Sequence, residues 1–364
     1  MRRVSFPCWL LSLSVALFLA GCGSNSGSSS GGGKGTGAGG SGDSRSGEGA
    51  GGAAADFKIV IITNGSSPFW DAADRGLQDA GKELGVRVEL VRNDGSEGGQ
   101  IRRLEQLATQ SDVKGVGVSV LDGKATGILE QMQALRAKGV RVITVDSDGP
   151  SEGREAFVGT NNLEGGRELG RMAAQLRPDG GKAIAFVGVL GAQNAQERIQ
   201  GFKEGLGADN FLIDSMEDSI DESKARNNVT SAILAHPEVN ILAGIWSYNA
   251  PAITDVISAN GRRKDFTIVA FDAEPNAIVA MGQGMIDAMV VQNPYDMGYT
   301  GATLLYRMIQ GDDAGVDELL HGGDVIDTGL KVVVPNAASP LKSKYRMTLD
   351  DFQAWLKKYD LEGS

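Results

Sequence analysis

Between Asp56 and Ser364 the sequence contains no cysteine; the two it has, Cys8 and Cys22, stand near its start. That absence excludes disulfides, thiol nucleophiles and thiolate metal sites from the body of the chain. Histidine is almost missing too: His236 and His321 are the only ones, in contexts (Ala235-His236-Pro237 and His321-Gly322-Gly323) that read as a helix end and a loop. Imidazole acid–base or metal chemistry therefore has little to assemble from. Basic charge is in deficit, with 35 Lys and Arg against 46 Asp and Glu and a formal net charge of -11, which argues against nucleic acid as a partner. Gly188-Val189-Leu190-Gly191 follows a strand-like run but lacks the third glycine of a dinucleotide fingerprint, and it reads as a turn. No cofactor is expected.

The one long apolar run, Trp9 to Ala20, is too short to span a bilayer comfortably. It follows Arg2 and Arg3 and leads into Leu19-Ala20-Gly21-Cys22, the order of an export signal. The tetrapeptide resembles the bacterial lipobox. That resemblance implies a lipoprotein signal over 1–22, cleavage before Cys22 and lipidation of its thiol, and so a membrane-anchored protein of the periplasm or cell surface. Loss of the two arginines takes the formal charge from -11 to -13. Residues 23–55 are almost entirely Gly, Ser and Ala. They cannot bury apolar surface and read as a disordered tether with a random-coil reach of roughly 30 Å.

From Asp56 onward, short β-branched runs alternate with helical patterns. Lys58 to Ile62, Val86 to Val91, Val113 to Val120 and Val140 to Val145 read as strands, with Trp70, Ala73, Leu77, Ala80 and Leu84 at helical spacing between the first two. Further strands are expected near Ala183–Val187, Phe211–Met216, Val239–Ile245, Phe266–Phe271, Ile286–Val291 and Lys331–Val334. Such alternation predicts parallel sheets covered by helices on both faces. A single sheet of that many strands would be unusually wide, so the prediction is an α/β fold of two Rossmann-like lobes, breaking near Val158 to Asn162. Near the end, Thr348 with Asp351 approximates a capping box ahead of a terminal helix through Phe352, Trp355 and Leu356, expected to pack outside a lobe.

Ligands of open parallel sheets bind beyond the carboxyl ends of the strands. The residues there are Phe69 and Trp70 after the first strand, Asp146 and Asp148 after the fourth, Asn194 and Arg198 in the next lobe, then Tyr248 and Asn249, Asp272, and Gln292. The carboxylates can accept from hydroxyls while Arg198, Asn249 and Gln292 donate, and an aromatic face suits the C–H face of a sugar ring. The set fits a small neutral sugar. Competing readings are that Asp148 is a helix cap and that one of Phe69 and Trp70 is simply core.

Taken in order, Ser67-Pro68-Phe69-Trp70, Val145-Asp146, Gly159-Thr160-Asn161-Asn162, Glu197-Arg198-Ile199-Gln200-Gly201-Phe202 and Val269-Ala270-Phe271-Asp272 resemble the periplasmic sugar-binding proteins of the ribose- and galactose-binding type. Trp246-Ser247-Tyr248-Asn249-Ala250-Pro251, Gln292-Asn293-Pro294-Tyr295 and Val325-Ile326-Asp327-Thr328-Gly329 look most like a glucose-binding branch known from thermophilic bacteria. The resemblance implies a type I periplasmic binding protein whose lobes are joined by a three-strand hinge near Thr160, Gln292 and Asp327. It divides the chain into 56–160 plus 293–326, 161–292 plus 327–340, and a helical tail over 341–364. It further implies that Phe69 and Trp70 stack on the ring while Asp146, Arg198, Asn249, Asp272 and Gln292 bond its hydroxyls. Ser147, where the ribose pattern has an arginine, and Ser67, in place of a common asparagine, shift the expectation from a pentose to a hexose. The expected protein is a monomer and not an enzyme, delivering sugar to an ABC permease by hinge closure. The rival expectations are a sugar sensor feeding a membrane receptor and a glycoside-acting enzyme using Asp146 and Asp272. A sugar-responsive gene regulator is disfavoured, because an export signal rather than a basic helix-turn-helix precedes Asp56.

Overall fold

The computed structural model describes residues Asp56–Ser364. The expected export signal, the Gly/Ser tether and lipidated Cys22 lie outside the described residues. Among the described residues, thirteen strands form two sheets. The first holds β1 (Lys58–Ile62), β2 (Arg87–Val91), β3 (Val113–Val118), β4 (Arg141–Val145), β5 (Phe157–Gly159) and β11 (Val325–Asp327), in the order β11-β5-β4-β3-β1-β2. The second holds β6 (Gly181–Val187), β7 (Asn210–Glu217), β8 (Ile241–Gly244), β9 (Thr267–Phe271), β10 (Ala288–Val291), β12 (Lys331–Val334) and β13 (Arg346–Thr348), in the order β13-β12-β10-β9-β8-β6-β7. Every pairing is parallel except β10 with β12. Central strands such as Lys-Ile-Val-Ile-Ile of β1 and Thr-Ile-Val-Ala-Phe of β9 are buried almost throughout, as strands covered on both faces must be.

The two sheets repeat one plan. In each, the first strand lies between the second and the third, and the fourth and fifth follow outward, the flavodoxin-like order with its switch point beside the first strand. The chain passes between lobes after β5, after β10 and between β11 and β12. Helix Asn162–Leu176 then packs on the second sheet, and helix Pro294–Gln310 on the first.

Glycines set how closely the helices approach. A Cβ on Gly76, in helix Phe69–Leu84, would lie 1.9 Å from the Tyr295 carbonyl oxygen, and one on Gly298 would lie 2.0 Å from that of Ala73. The second lobe does the same: a Cβ on Gly201, in helix Gln193–Leu206, would lie 2.1 Å from the Leu163 carbonyl, and one on Gly166 2.2 Å from that of Arg198. These backbone-to-backbone contacts fix the helices that carry Trp70 and Arg198.

The strand-like segment read as ending at Gly159 is β5; two further strands escape the sequence reading, Val325–Asp327 and Arg346–Thr348, each three residues long and so too short to show a period. The terminal helix runs Leu349–Lys358, with the Thr348 hydroxyl accepting from the Asp351 amide at 3.2 Å. The Asp351 carboxylate accepts from that same hydroxyl at 2.6 Å instead of reaching the Thr348 amide, so only half of a capping box forms. The helix is not merely laid on the outside: Phe352 and Leu356 belong to the core of the second lobe.

The lobes touch across the cleft. The Ser247 hydroxyl lies 3.3 Å from that of Ser67, and the Asn194 amide donates to Asp146 at 3.4 Å. Val189 and Ile220 of the second lobe pack into the core of the first. The arrangement is closed.

Candidate functional site

Asp146 directly follows strand β4 and Asp272 directly follows strand β9, the same position in the repeated plan of the two lobes. Both residues adopt left-handed backbone, with φ of 64° and 61°. A non-glycine residue there costs on the order of 1–3 kcal/mol and persists only where the surroundings enforce it. What that strain yields is a pair of carboxylates, each nearly fully buried, turned toward one guanidinium. Arg198 Nη2 lies 3.8 Å from Asp146 Oδ1, and Nη1 lies 3.8 Å from Asp272 Oδ2.

Arg198 is itself held from behind. Its Nε donates to Asn162 Oδ1 at 2.8 Å, its Nη1 donates to the Ile245 carbonyl at 3.1 Å, and its guanidinium carbon sits 4.4 Å from the centre of the Phe271 ring. Nη2 is buried and makes no hydrogen bond. The 3.8 Å gaps exceed a hydrogen bond, so a ligand hydroxyl there can accept from the guanidinium while donating to a carboxylate.

Asp146 Oδ2 is engaged by the Ser119 hydroxyl at 2.9 Å and by the amides of Asn194 and Asn64 at 3.4 and 3.5 Å, with Oδ1 facing Arg198. Asp272 accepts from the Gln292 side-chain amide at 3.0 and 3.1 Å, which leaves Gln292 Oε1 buried without a donor. Burial raises the Asp146 carboxyl above its ordinary range against the pull of Arg198. The same desolvation pushes Asp272 up to about 6. Glu274, which accepts from the Ser247 hydroxyl at 2.6 Å, is pushed up to about 7 by burial, with the Asp272 charge adding to it.

The space between the lobes is walled by Asn64 to Ser67, Phe69, Trp70, Asp146, Asn194, Arg198, Ile220, Trp246 to Tyr248, Asp272 and Gln292. Phe69 and Trp70 meet edge to face, ring centres 5.1 Å apart at 88°. Both line the space and both belong to the core of the first lobe.

Eight of the nine expected ligand residues converge on this cavity: Phe69, Trp70, Asp146, Asn194, Arg198, Tyr248, Asp272 and Gln292. Asn249 does not. It is fully buried, its amide donates to Asp218 Oδ2 at 2.8 Å and its Oδ1 accepts from the Trp246 backbone at 3.0 Å, so it shapes the turn that presents Trp246 to Tyr248. Tyr248 lends the wall its ring, because its hydroxyl is committed to Asp218. Asp148 caps no helix; both its oxygens pair with Arg154, at 2.7 and 2.8 Å. The sequence reading missed Asn64, Trp246 and Ile220. Asn64 and Trp246 stand at the ends of β1 and β8 and could have been found by the strand-end rule. Ile220 has no such signal, lying in a loop with φ of 64°.

A preformed cleft between two α/β lobes, with free donors and acceptors in its wall, is the kind of site a solute-binding protein carries. The chain matches the model of the periplasmic binding protein domain over residues 57–313, and it belongs to that family. The ribose import binding protein of Salmonella typhimurium is 24% identical over 262 residues, covering 71% of this chain and 86% of that one. The solved structure of a glucose-galactose binding protein from Geobacillus stearothermophilus is 25% identical and covers 79% of this chain and all of that one, with a TM-score of 0.71. An ABC transporter solute-binding protein of Burkholderia graminis, solved with D-arabinose, is 26% identical over 80% of this chain, also with a TM-score of 0.71. The chain is a binding protein and not an enzyme.

Proposed function

We propose that the protein closes its lobes over one neutral monosaccharide, a hexose in preference to a pentose, and delivers it to an ABC importer. The observation that carries the reading is the Asp146–Arg198–Asp272 row, with Arg198 Nη2 and Gln292 Oε1 buried without a hydrogen-bond partner in the cleft. Hydroxyl groups, which donate and accept at once, complete that set without introducing a net charge. The ring lies against Phe69 and Trp70, with Trp246 and Ile220 on the facing wall. Relatives named for ribose, allose and glucose-galactose binding support a sugar over another solute. Ser147 supports a hexose, because a serine beside Asp146 leaves Arg198 the one cationic residue of the wall. On this reading the lobes comprise 56–160 with 293–326 and 161–292 with 327–340, and the protein works as a monomer held to the membrane by a lipid on Cys22.

Isothermal titration with a panel of hexoses and pentoses, paired with small-angle scattering, tests the proposal. One hexose is expected to bind with compaction of the particle. Heat with no monosaccharide, and no compaction with any of them, would remove the reading.

A further inference from the structure

After helix Leu349–Lys358 the chain does not trail away. Asp360 takes a left-handed conformation (φ 56°), the Leu361 amide donates to the Leu356 carbonyl at 3.0 Å and the Asp360 amide to that of Lys357 at 3.2 Å, the paired bonds of a Schellman turn. The turn sends residues 361–364 back to the loop that follows β9. There Ser364 pairs with Ala273 in both directions, the Ala273 amide donating to the Ser364 carbonyl at 2.7 Å and the Ser364 amide to the Ala273 carbonyl at 3.0 Å. Gly363 fits against the same loop so closely that a Cβ on it would lie 2.6 Å from the Ala273 carbonyl oxygen. Ser364 is only 1% exposed. Ala273 is the neighbour of Asp272, whose left-handed backbone needs outside support.

The segment also reaches the other lobe. The Tyr359 ring centre is 4.6 Å from that of Tyr295, at the start of helix Pro294–Gln310, and Asp360 pairs with Arg75 of helix Phe69–Leu84 at 3.2 Å. We propose that residues Tyr359–Ser364 are a positioning strap for the ligand site: they hold the Asp272 loop by a two-bond backbone pair and brace it against the first lobe in the closed arrangement. The strap acts through Asp272 and touches no ligand, and the inference rests on the sugar reading of that residue.

The test compares the full chain with a chain stopped after Asp360 and with Ser364→Pro, which removes the amide that donates to Ala273 and keeps the carbonyl that accepts from it. Three quantities are read: sugar dissociation by stopped-flow tryptophan fluorescence, hydrogen exchange of the 267–275 segment, and the unfolding midpoint of the ligand-free protein. Both variants are expected to exchange faster at Ala273 and to release sugar about tenfold faster, the effect of one or two ordinary hydrogen bonds. Ligand-free unfolding should shift by only a few degrees, since Leu361 is the one removed side chain that packs against the core of the lobe, and Ser364→Pro keeps it. A segment that merely stabilised the lobe would lower the midpoint and leave dissociation at 25 °C unchanged. Dissociation within twofold of the full chain, with unaltered exchange over 267–275, overturns the strap. If the full chain binds no monosaccharide, the sugar reading fails by itself and the exchange of Ala273 alone decides the strap. If the shortened chain does not fold, Ser364→Pro decides it.

Discussion

Replacing Arg198 by methionine keeps most of the side-chain volume and deletes the charge between Asp146 and Asp272. Two effects of different size follow. The folded protein is left with two buried carboxylates, each formerly 3.8 Å from a guanidinium nitrogen. Removing one partner of a buried ion pair costs about 3–5 kcal/mol when the orphaned charge stays ionised. Here the carboxylates have an escape: Asp272 already titrates at about 6 with the arginine present, and desolvation without it pushes both aspartates higher. The variant therefore takes up protons near neutrality and loses less stability at pH 5 than at pH 8. Binding has no such escape. The free Nη2 and the charge-assisted bonds it offers are gone, at about 1.5–3 kcal/mol for each bond to a charged group. Affinity is expected to fall by about two to four orders of magnitude, since 1.4 kcal/mol is tenfold. Titration calorimetry at pH 8 measures the loss, and urea unfolding at pH 5 and pH 8 measures the stability difference. An Arg198→Met protein that binds sugar within threefold of the parent would refute the role given to the guanidinium, even if the unfolding data behaved as described.

Other consequences are open to measurement. Because burial raises Asp272 to about 6 and Glu274 to about 7, their contribution to stability is fully present below the unfolded carboxyl range and is lost as pH rises through 6 to 7. The melting temperature of the ligand-free protein should therefore rise from pH 8 to pH 5, with Asp272 alone recovering about 1–1.5 kcal/mol over that interval at 1.36 kcal/mol per unit of pKa; a midpoint that falls over that range contradicts the burial argument. Hydroxyls donating to Asp146 and Asp272 favour the ionised forms, so sugar binding near pH 6 should release protons, visible as a dependence of the calorimetric heat on buffer ionisation enthalpy. Gly76→Ala places a methyl where only 1.9 Å separates it from the Tyr295 carbonyl oxygen, and it should cost about 1–3 kcal/mol or more in urea unfolding as two helices are forced apart. Asn249→Ala strips Asp218 of a 2.8 Å donor; an expected stability loss of about 1–3 kcal/mol should exceed its effect on sugar affinity, the reverse of the order for Gln292→Ala.

The fold was legible because its strands are buried on both faces: a run such as Val113 to Val118 has few other readings once helical spacing resumes on either side. The site was legible for a geometric reason. Parallel strands of one sheet all end on one edge, so Asp272 and Gln292 could be placed together, and Asp146 at the matching edge of the other lobe. What resisted reading was how polar groups are shared. Asn249 stands at a strand end beside Tyr248 and has the chemistry of a sugar ligand, yet its two polar ends are spent on Asp218 and the Trp246 backbone. Nothing in its neighbours distinguishes a free amide from an engaged one. Ile220 and the 359–364 strap escaped for a different reason, since each owes its place to a contact far away in sequence, with Gly95 in one case and Ala273 in the other.

The repeated plan of the lobes bears on how the proposed closure would be coupled to binding. Each lobe presents a single carboxylate from the end of its fourth strand on a strained backbone, but only the second lobe carries the cation, Arg198. With the lobes parted, Asp146 would keep Ser119 and Asn64 of its own lobe and regain water, whereas Arg198 and Asp272 would remain together. Closure therefore asks Asp146 to exchange water for a gap of 3.8 Å to Arg198 and for Asn194, a poor exchange when the cavity is empty. A hydroxyl that bridges the gap changes the balance by satisfying Asp146 Oδ1 and Arg198 Nη2 together. The ligand's differential affinity for the closed state, which is what shifts a hinge equilibrium, is concentrated in that bridge. Asp146→Asn tests this directly: it removes the desolvation cost and the strong acceptor together, so the ligand-free particle should become more compact in scattering while sugar affinity falls, and a variant that leaves the ligand-free particle as open as the parent would show that closure is governed elsewhere.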